Sequence, residues 1–488
     1  MKKIYVDGEI NNIRVGMCQI GLSDTVINKE DGSCEVKKNK PVVVYDTSGP
    51  YGDDSYKVDY KMGLPRIREA WFARRKDIVC QKENGKSVYR AREGKCITQL
   101  HYAKKRIISP EMEYVAIREN QQIEALGLKS YITPDFVRKE IASGHAVIPA
   151  NVNHFEIEPM IIGNRFLVKI GNSLNLNEKF SDDDFERIQL YCSLGADSII
   201  DVSEDNIPSA SREYLLRNSP VPIGVPTIYQ ALASVGGNVE YLTWDIYRDT
   251  LINQLEQGYD FVSVHAAMKR SHIKMASRRL AGIASRAGFI MSEWMKIHKE
   301  ENFLNTHFAE ICEIASVFDA VISIGSGLRP GSVYDANDNA HFAELSEMRH
   351  LVDMAWKQYV QVMAEGPGHI PMNKIEPYMK EHRYVCKGIP FFSPGIVTSD
   401  IAVGFEHIAA AIGGAQMAWY GASLIGGLKN QNSVIDTASI KTDLLSYKIA
   451  AHSADLAKGH PGAQVRDNAF SKACYEKREQ DLHKLSIG

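Results

Sequence analysis

The residues best suited to chemistry lie on loops rich in glycine and proline. Glu365 and His369 are four positions apart in the segment Glu365-Gly-Pro-Gly-His369. A carboxylate and an imidazole on such a loop suit general acid–base catalysis, or a metal site with His369 as one ligand. A loop histidine bonded to backbone is the structural alternative. His265 directly follows an apolar run, so it is either a catalytic side chain or a core histidine.

Two further segments are suited to holding phosphate. Ser285-Arg286-Ala-Gly288 and Gly325-Ser-Gly-Leu-Arg-Pro-Gly331 each combine an arginine with small residues that expose backbone N–H groups. The planar guanidinium matches phosphate oxygens, and a ligand can approach the backbone closely at glycine. A Ser-Arg pair is also common as a helix cap or a surface pair, so each segment alone is a weak signal. Together they favour a pocket for a phosphorylated small molecule.

These loops follow predicted strands, and the strands indicate the fold. From about residue 146, short β-rich runs alternate with amphipathic helical patterns. The runs cover residues 146–149, 166–170, 198–202, 261–264, 320–324, 360–364 and 390–392. Strands separated by helices predict a parallel sheet. About eight β/α units favour a closed α/β barrel of the (βα)8 TIM type over an open sheet, with the chemistry on the loops that follow the strands.

The chain divides into three predicted parts. Residues 1–145 are predicted to form a smaller N-terminal α+β domain with helices in its second half. Residues 146–435 are assigned to the barrel, and residues 436–488 to a C-terminal helical segment with a helix over residues 442–458.

Composition excludes several classes of function. A net charge of −3 gives no general attraction to nucleic acid or to an anionic membrane. No apolar run is long enough for a membrane span, and the first residues do not resemble a signal peptide, so a cytoplasmic location is expected. The eight cysteines are at least 16 residues apart. This spacing argues against a zinc ribbon or an iron–sulfur cluster and predicts buried or free thiols.

Many segments of the chain resemble the phosphomethylpyrimidine synthase (ThiC) family. They are residues 44–51, 110–120, 158–163, 216–224, 327–332, 335–338, 365–369, 447–452 and 459–464. The resemblance implies a homodimer with an N-terminal domain, a (βα)8 barrel and a C-terminal cluster segment. The family enzyme rearranges aminoimidazole ribotide into the thiamine pyrimidine (HMP-P), using S-adenosylmethionine and a [4Fe–4S] cluster.

The resemblance also implies roles for individual residues. His369 matches the family's first metal-ligand histidine, which implies a divalent metal, zinc or iron, at this residue. For a member without a cluster, acid–base catalysis is expected from Glu365 with His265 or His369. The implied substrate contacts are Asn172, Tyr229, His265, Ser285, Arg286, Gly327, Leu328, Arg329 and Glu365. Asn172 is placed by its position at a shortened strand end and not by a matching motif.

The departures from the family pattern predict a divergent member. The family's C-x2-C-x4-C cysteines are not found in this sequence, so no [4Fe–4S] cluster is expected. A second metal histidine is also missing, with Gln431 or Ser433 near its place, which weakens the predicted metal site. Inside the barrel, Ser326 replaces an aspartate, Ile200 a methionine and Phe392 a tyrosine.

Three functions follow as alternatives. The first is a cluster-free paralogue that binds an aminoimidazole ribotide-like nucleotide, with altered lyase or rearrangement chemistry. The second is a non-catalytic regulatory partner that forms a heterodimer with a complete family member. The third is ordinary thiamine-pyrimidine synthesis, with the tail missing from the sequence. Without a cluster, reductive cleavage of S-adenosylmethionine has no electron source in this chain alone. The sequence leaves open whether S-adenosylmethionine is bound and whether the chain is an active enzyme.

Overall fold

A closed barrel of eight strands forms the centre of the molecule. The computed structural model describes residues 1–73, 75–83, 86–125, 132–427 and 437–487. Barrel strands one to eight are Lys169–Leu174, Ser198–Asp201, Ile223–Val225, Phe261–Val264, Val321–Ile324, Val362–Glu365, Phe391–Pro394 and Leu424–Gly427. Every neighbouring pair is parallel, including the pair of strands one and eight that closes the ring. The predicted (βα)8 fold is confirmed.

Helices cover the outside of the barrel. They are Asp182–Leu194, Ser209–Arg217, Thr227–Ser234, Trp244–Gln257, Arg270–Ala276, Arg286–His298, Phe303–Thr306, Phe308–Phe318, Asn339–Lys357, Met372–Val385 and Glu406–Trp419, with a 3-10 turn at Val239–Tyr241. Several of these helices begin at a residue whose side chain caps the first turn. The Ser181 hydroxyl accepts a hydrogen bond from the Asp184 amide, and the Thr243 hydroxyl accepts one from the Ile246 amide. Their apolar faces pack against outward-facing strand residues such as Val262 in the largest core.

A second core fills the inside of the barrel. Its strand residues are Ile200, Phe261, Val321, Met363, Phe392 and Leu424. Side chains of a two-stranded antiparallel hairpin, Ala146–Val147 with Ile162–Gly163, pack against them. The prediction that residues 146–149 form a barrel strand was therefore wrong. This segment belongs to a plug at the N-terminal end of the barrel.

Barrel strands three and eight were missed by the sequence pattern. Ile223–Val225 has only three residues and follows a segment with two prolines. Leu424–Gly427 ends in two glycines, which have low β propensity. Both strands form because their neighbours in the ring pair with them.

The N-terminal region combines small antiparallel sheets with helices. Lys2–Asp7, Arg14–Ile20 and Val42–Val44 form one sheet, and Thr25–Asn28 with Cys34–Lys37 and Ile78–Glu83 with Lys86–Ala91 form hairpins. Its helices are Gly49–Gly52 (3-10), Glu69–Phe72, Gln99–Lys104, Pro110–Ala125 and Pro134–Ala142. The C-terminal helices are Thr437–Ala457, Ala463–Tyr475 and Glu479–Leu485. The last two of these pack on the three-stranded sheet through a shared apolar cluster.

The helices show no membrane-spanning character. Within the described ranges, none is both long and apolar enough to cross a bilayer.

Replacing Gly426 tests the closure of the barrel. Gly426 pairs with Gly171, and a Cβ at position 426 would lie 1.9 Å from the Gly171 carbonyl oxygen. We expect Gly426→Ala to cost about 2–3 kcal/mol or more, because the overlap is with backbone that cannot move aside. Gly21→Ala is the control, since a Cβ there meets no atom within 4 Å. Equal melting temperatures for the two variants would contradict the closure described here.

Candidate active site at the barrel mouth

Glu365 ends barrel strand six inside the barrel. Its Oε1 accepts hydrogen bonds from the Ser263 hydroxyl at 2.6 Å and from the Ser323 hydroxyl at 2.9 Å. Burial raises the pKa of this carboxyl above its usual value, although the Ser263 bond and the charge of Arg329 act in the opposite direction. A buried carboxyl group with a raised pKa is suited to general acid or base catalysis.

His265 directly follows barrel strand four. It is 3% exposed, and neither ring nitrogen has a hydrogen-bond partner among the described residues. Burial and the nearby charge of Arg329 lower its pKa to about 3, so the imidazole is neutral at physiological pH. The ring lies so close to Gly325 that a Cβ there would be 2.6 Å from it. The side-chain amide of Asn302 donates a hydrogen bond to the His265 backbone carbonyl at 2.9 Å and so fixes the loop that follows barrel strand four.

A buried glutamate organises the loop after barrel strand five. The Glu344 carboxylate accepts from the Gly327 amide at 2.7 Å, the Leu328 amide at 2.9 Å and the Ser326 hydroxyl at 3.0 Å. Burial raises its pKa to about 7 despite these bonds. The two amides that we expected to bind phosphate are therefore already occupied. The next residue, Arg329, has a guanidinium that forms no ion pair or hydrogen bond with any described residue.

The second predicted phosphate segment is also held internally. The Ser285 hydroxyl accepts from the Gly288 amide at 3.2 Å and caps the helix Arg286–His298. Arg286 is half-exposed, and its Nε lies 3.0 Å from a carboxylate oxygen of Glu204. Arg286 and Tyr229 line a small cleft of about 270 Å³. Burial raises the pKa of Tyr229 to about 12, so its phenol stays protonated.

His369 lies in a larger cleft of about 920 Å³, which Arg329 also lines. Its Nδ1 is 2.8 Å from a carboxylate oxygen of Asp400, which orients the ring and leaves Nε2 for another partner. Across the described ranges, no three His, Cys, Asp or Glu side chains are grouped so that they could hold a metal ion. Gln431 and Ser433 lie outside the described residues. The side chains around His369 do not fit a metal site by themselves.

The predicted site residues fall into three groups. Glu365, His265 and Arg329 lie at the carboxyl ends of the neighbouring barrel strands four to six or in the loops that follow them, and the charge of Arg329 acts on both other groups. Tyr229 and Arg286 share the small cleft, and His369 lies in the large one. Asn172 is buried in barrel strand one, opposite Gly427, which lines the large cleft.

Glu344 was not among the predicted site residues. It lies on the buried face of the helix Asn339–Lys357, between Ala340 and Met348. The sequence could have indicated Glu344, because an acidic residue within the apolar stripe of a helix becomes buried and a buried carboxylate needs hydrogen-bond donors nearby.

Fold and site define an α/β-barrel protein whose candidate site lies at the carboxyl ends of the strands. The radical SAM ThiC family model matches residues 98–488, and the ThiC-associated domain matches residues 1–79. The chain therefore belongs to the radical SAM ThiC family and is similar to the thiamine-pyrimidine (HMP-P) synthase.

Solved barrel structures are more distantly similar. Dihydropteroate synthase of Xanthomonas albilineans is 11% identical, with 65% of this chain and 99% of that chain covered and a TM-score of 0.35. Dihydropteroate synthase of Yersinia pestis is 8% identical, with 58% of this chain and 91% of that chain covered and a TM-score of 0.35. The Thermus thermophilus enzyme, in complex with 4-aminobenzoate, is 13% identical, with 58% and 93% covered and a TM-score of 0.33.

Removing the Glu344 carboxylate should disrupt the loop that carries Arg329. Glu344→Ala leaves two buried amides without an acceptor, and we expect a loss of about 2–5 kcal/mol in the free energy of unfolding. Urea denaturation measures this loss. Glu347→Ala on the same helix removes a partly exposed ion pair with Lys269 and a 3.2 Å hydrogen bond from the Asn305 side chain, and should cost about 1 kcal/mol. Similar losses in both variants would argue against the organising role of Glu344.

The depressed pKa of His265 predicts a pH dependence of stability. In the unfolded chain, this histidine regains its ordinary pKa of about 6.5. Between about pH 6.5 and pH 3, His265 is therefore protonated in the unfolded chain and neutral in the folded protein, which favours unfolding. The wild type should therefore lose stability as the pH falls through this window. Relative to His265→Gln, we expect a loss of about 1.4 kcal/mol between pH 7.5 and pH 5.5.

Unfolding free energies at the two pH values measure this difference. The exposed His350, replaced by glutamine in the same way, provides the control, and its variant should follow the wild type. If His265→Gln has the same pH dependence as the wild type, His265 is not held neutral by burial.

Proposed function

We propose that the barrel mouth binds an aminoimidazole ribotide-like nucleotide and that the protein acts on it as a lyase of the thiamine-pyrimidine synthase type. The observation that carries the proposal is the state of His265. A buried imidazole with two unpaired ring nitrogens costs stability unless a bound molecule supplies partners. A neutral imidazole donates from one nitrogen and accepts at the other, which matches an aminoimidazole with its own donors and acceptors.

Arg329 is the side chain assigned to the phosphate group. Its guanidinium borders the large cleft and has no carboxylate partner in the described part of the chain, so it is available for a bidentate pair with phosphate oxygens. Arg286 is a weaker candidate, because Glu204 already neutralises it. The amides of Gly327 and Leu328 support this role indirectly, since their bonds to Glu344 hold the loop in place.

Glu365 is the residue assigned to proton transfer. Two serine hydroxyls fix its position, and burial favours its protonated form. It can therefore give a proton to a bound base and take it back, while the neutral His265 orients that base. Burial of both groups excludes water from the reacting atoms.

The family implies an iron–sulfur cluster and S-adenosylmethionine, which together supply a radical when bound. The cysteines of the described residues do not fit such a cluster, because Cys192, Cys312 and Cys386 are buried in the apolar core and the other five belong to no group of three potential metal ligands. The roles assigned above are therefore confined to binding, orientation and proton transfer by this chain's own side chains.

Calorimetric titration with aminoimidazole ribotide tests the proposal. Wild-type protein should bind it, and Arg329→Ala should weaken the affinity by about 2–5 kcal/mol, or at least roughly 30-fold, because a desolvated arginine–phosphate pair is lost. Arg248→Ala is the matched control, since Arg248 lies on an outer helix with Asp245 and Asp249 as its partners. Unchanged affinity in Arg329→Ala would reject the phosphate assignment. If the wild type does not bind, the proposed ligand is wrong.

A further inference from the structure

A cavity of about 350 Å³ lies at the N-terminal end of the barrel, away from the mouth. We call it the lower cavity. Its walls come from the N-terminal sheet (Cys18, Ile20, Val44), from the residues at the start of barrel strand one and just before strand two, and from the C-terminal helices (Lys448, Arg466). None of the central mouth residues Glu365, His265 and Arg329 lines it. Its volume is that of a site for a small organic molecule.

Most charged side chains in the wall of the lower cavity have partners. The Asp46 carboxylate pairs with Lys3 at 2.9 Å, and Lys169 pairs with Glu119 at 2.7 Å. Asp197 accepts from the Ile170 amide at 2.8 Å, and Asp455 accepts from the Val168 amide at 3.1 Å. Asp455 is also paired with Lys458 at 3.1 Å, and burial raises the pKa of Asp197 to about 6, which reduces its negative charge near neutral pH.

Lys448 has no such partner. Its ammonium group forms no hydrogen bond or ion pair with any residue of the described ranges, although Lys448 lines the cavity. Its stem packs on Gly195, where a Cβ would come within 3.0 Å of the lysine Cε. Burial and the charge of Arg466 lower the pKa of Lys448, although the carboxylates of Asp197 and Asp46 act in the opposite direction.

Arg466 adds a second positive charge without a carboxylate partner. Its Nε donates to the Leu485 carbonyl at 2.8 Å, and its Nη2 donates to the Ser486 carbonyl. These bonds fix the guanidinium but do not neutralise it, and no described residue forms an ion pair with it. Two neighbouring cations thus face one cavity, where burial makes an uncompensated charge costly.

The sequence favours a reason for Lys448 beyond packing. It lies on the helix Thr437–Ala457, whose buried residues are mostly apolar, including Leu444, Ala450 and Ala451, with Asp455 as the buried charged residue among those described. A methionine would fill the same volume without the cost of a buried charge. Lys448 and the segment 459–464 lie in stretches that carry part of the family resemblance, and neither has a role in the proposed function of the mouth.

We propose that the lower cavity binds a small organic anion. Its carboxylate or phosphate group pairs with Lys448 and Arg466, and its apolar body lies against Ile20, Val44 and Leu194. Because the walls come from the N-terminal sheet, the barrel and the C-terminal helices, the bound anion would tie these three parts together. This site is separate from the mouth and does not depend on the function proposed for it.

Thermal unfolding of the full chain tests the site, with sodium benzoate and inorganic phosphate as probes at constant ionic strength. At a probe concentration about ten times Kd, we expect the wild-type melting temperature to rise by about 1–3 °C. Lys448→Met should lose this response. Lys441→Met on the exposed face of the same helix should keep it, and Arg329→Ala at the mouth should keep the part of the response that Lys448→Met loses.

The two probes distinguish the preferred headgroup. A response to benzoate alone supports a carboxylate ligand with an apolar body, and a response to phosphate that is lost in Lys448→Met supports a phosphorylated one. No response of the wild type to either probe would overturn the proposal. A response that persists unchanged in Lys448→Met would overturn it as well.

The stability of Lys448→Met without a probe gives an independent result. If Lys448 is kept for a ligand, removing its uncompensated charge should leave the melting temperature unchanged or raise it. A markedly lower melting temperature would show a structural role for Lys448 and would reject the proposal.

Competitive acetylation of the wild-type protein requires no variant. At about ten times Kd, a bound anion should slow the acetylation of Lys448 by about tenfold. The exposed Lys441 should react at the same rate with and without the probe. Mass spectrometry of the two lysine-containing peptides measures both rates, and equal reactivity of Lys448 in the two conditions would contradict anion binding there.

Discussion

Closure of the barrel between strands one and eight is the constraint on which the rest of the structure depends. Gly171 and Gly426 face each other in that pair, and the two backbones are so close that there is no room for a side chain at position 426. The pairing leaves the parallel sheet without an open edge and fixes the eight strand ends relative to one another. Glu365 can therefore accept hydrogen bonds from serines on strands four and five, although Ser263 is 102 positions away in the chain.

Buried ionisable groups in this protein are of two kinds. Arg68 with Glu111, Lys169 with Glu119 and His154 with Asp260 are paired at 3.0, 2.7 and 2.7 Å. The Lys169–Glu119 pair holds the helix Pro110–Ala125 on barrel strand one, and removing one partner of any of these pairs would leave the other charged or polar group buried alone. His265 and Lys448 are of the other kind, since neither has a polar partner in the described residues. Lys448 lines the lower cavity, and His265 directly follows barrel strand four at the opposite end of the barrel; both proposals begin from these two groups.

The sequence predicts those features that depend on short stretches of chain. Alternating β-rich and helical patterns predict the barrel, and the positions of His265 and Glu365 at strand ends follow directly from the strand boundaries. Strands three and eight could not be predicted, since their residues become strands through pairing with neighbours. Residues 146–149 have the apolar composition of a barrel strand. The structure shows that the ring of eight strands closes without them and that they belong to the hairpin that plugs the barrel. Glu344 binds amides 17 and 16 positions earlier, a contact that spacing alone does not reveal.

The positions where the sequence resemblance predicts departures from the family pattern can be compared with their surroundings. Ser326 donates its hydroxyl to Glu344 at 3.0 Å. An aspartate at this position would bring a second carboxylate against the first, in a place where burial already raises the pKa of Glu344 to about 7. Serine therefore suits a loop that is anchored by a buried glutamate.

Phe392 pairs in register with Glu365, and it packs with Ile200 in the interior core. A phenol at position 392 would place a polar group beside Glu365, whereas phenylalanine keeps this part of the barrel apolar and strengthens the effect of burial on the carboxyl group. The substitutions thus leave proton transfer to Glu365, with the neutral His265 and the cationic Arg329 as the polar groups nearest to it in the proposal.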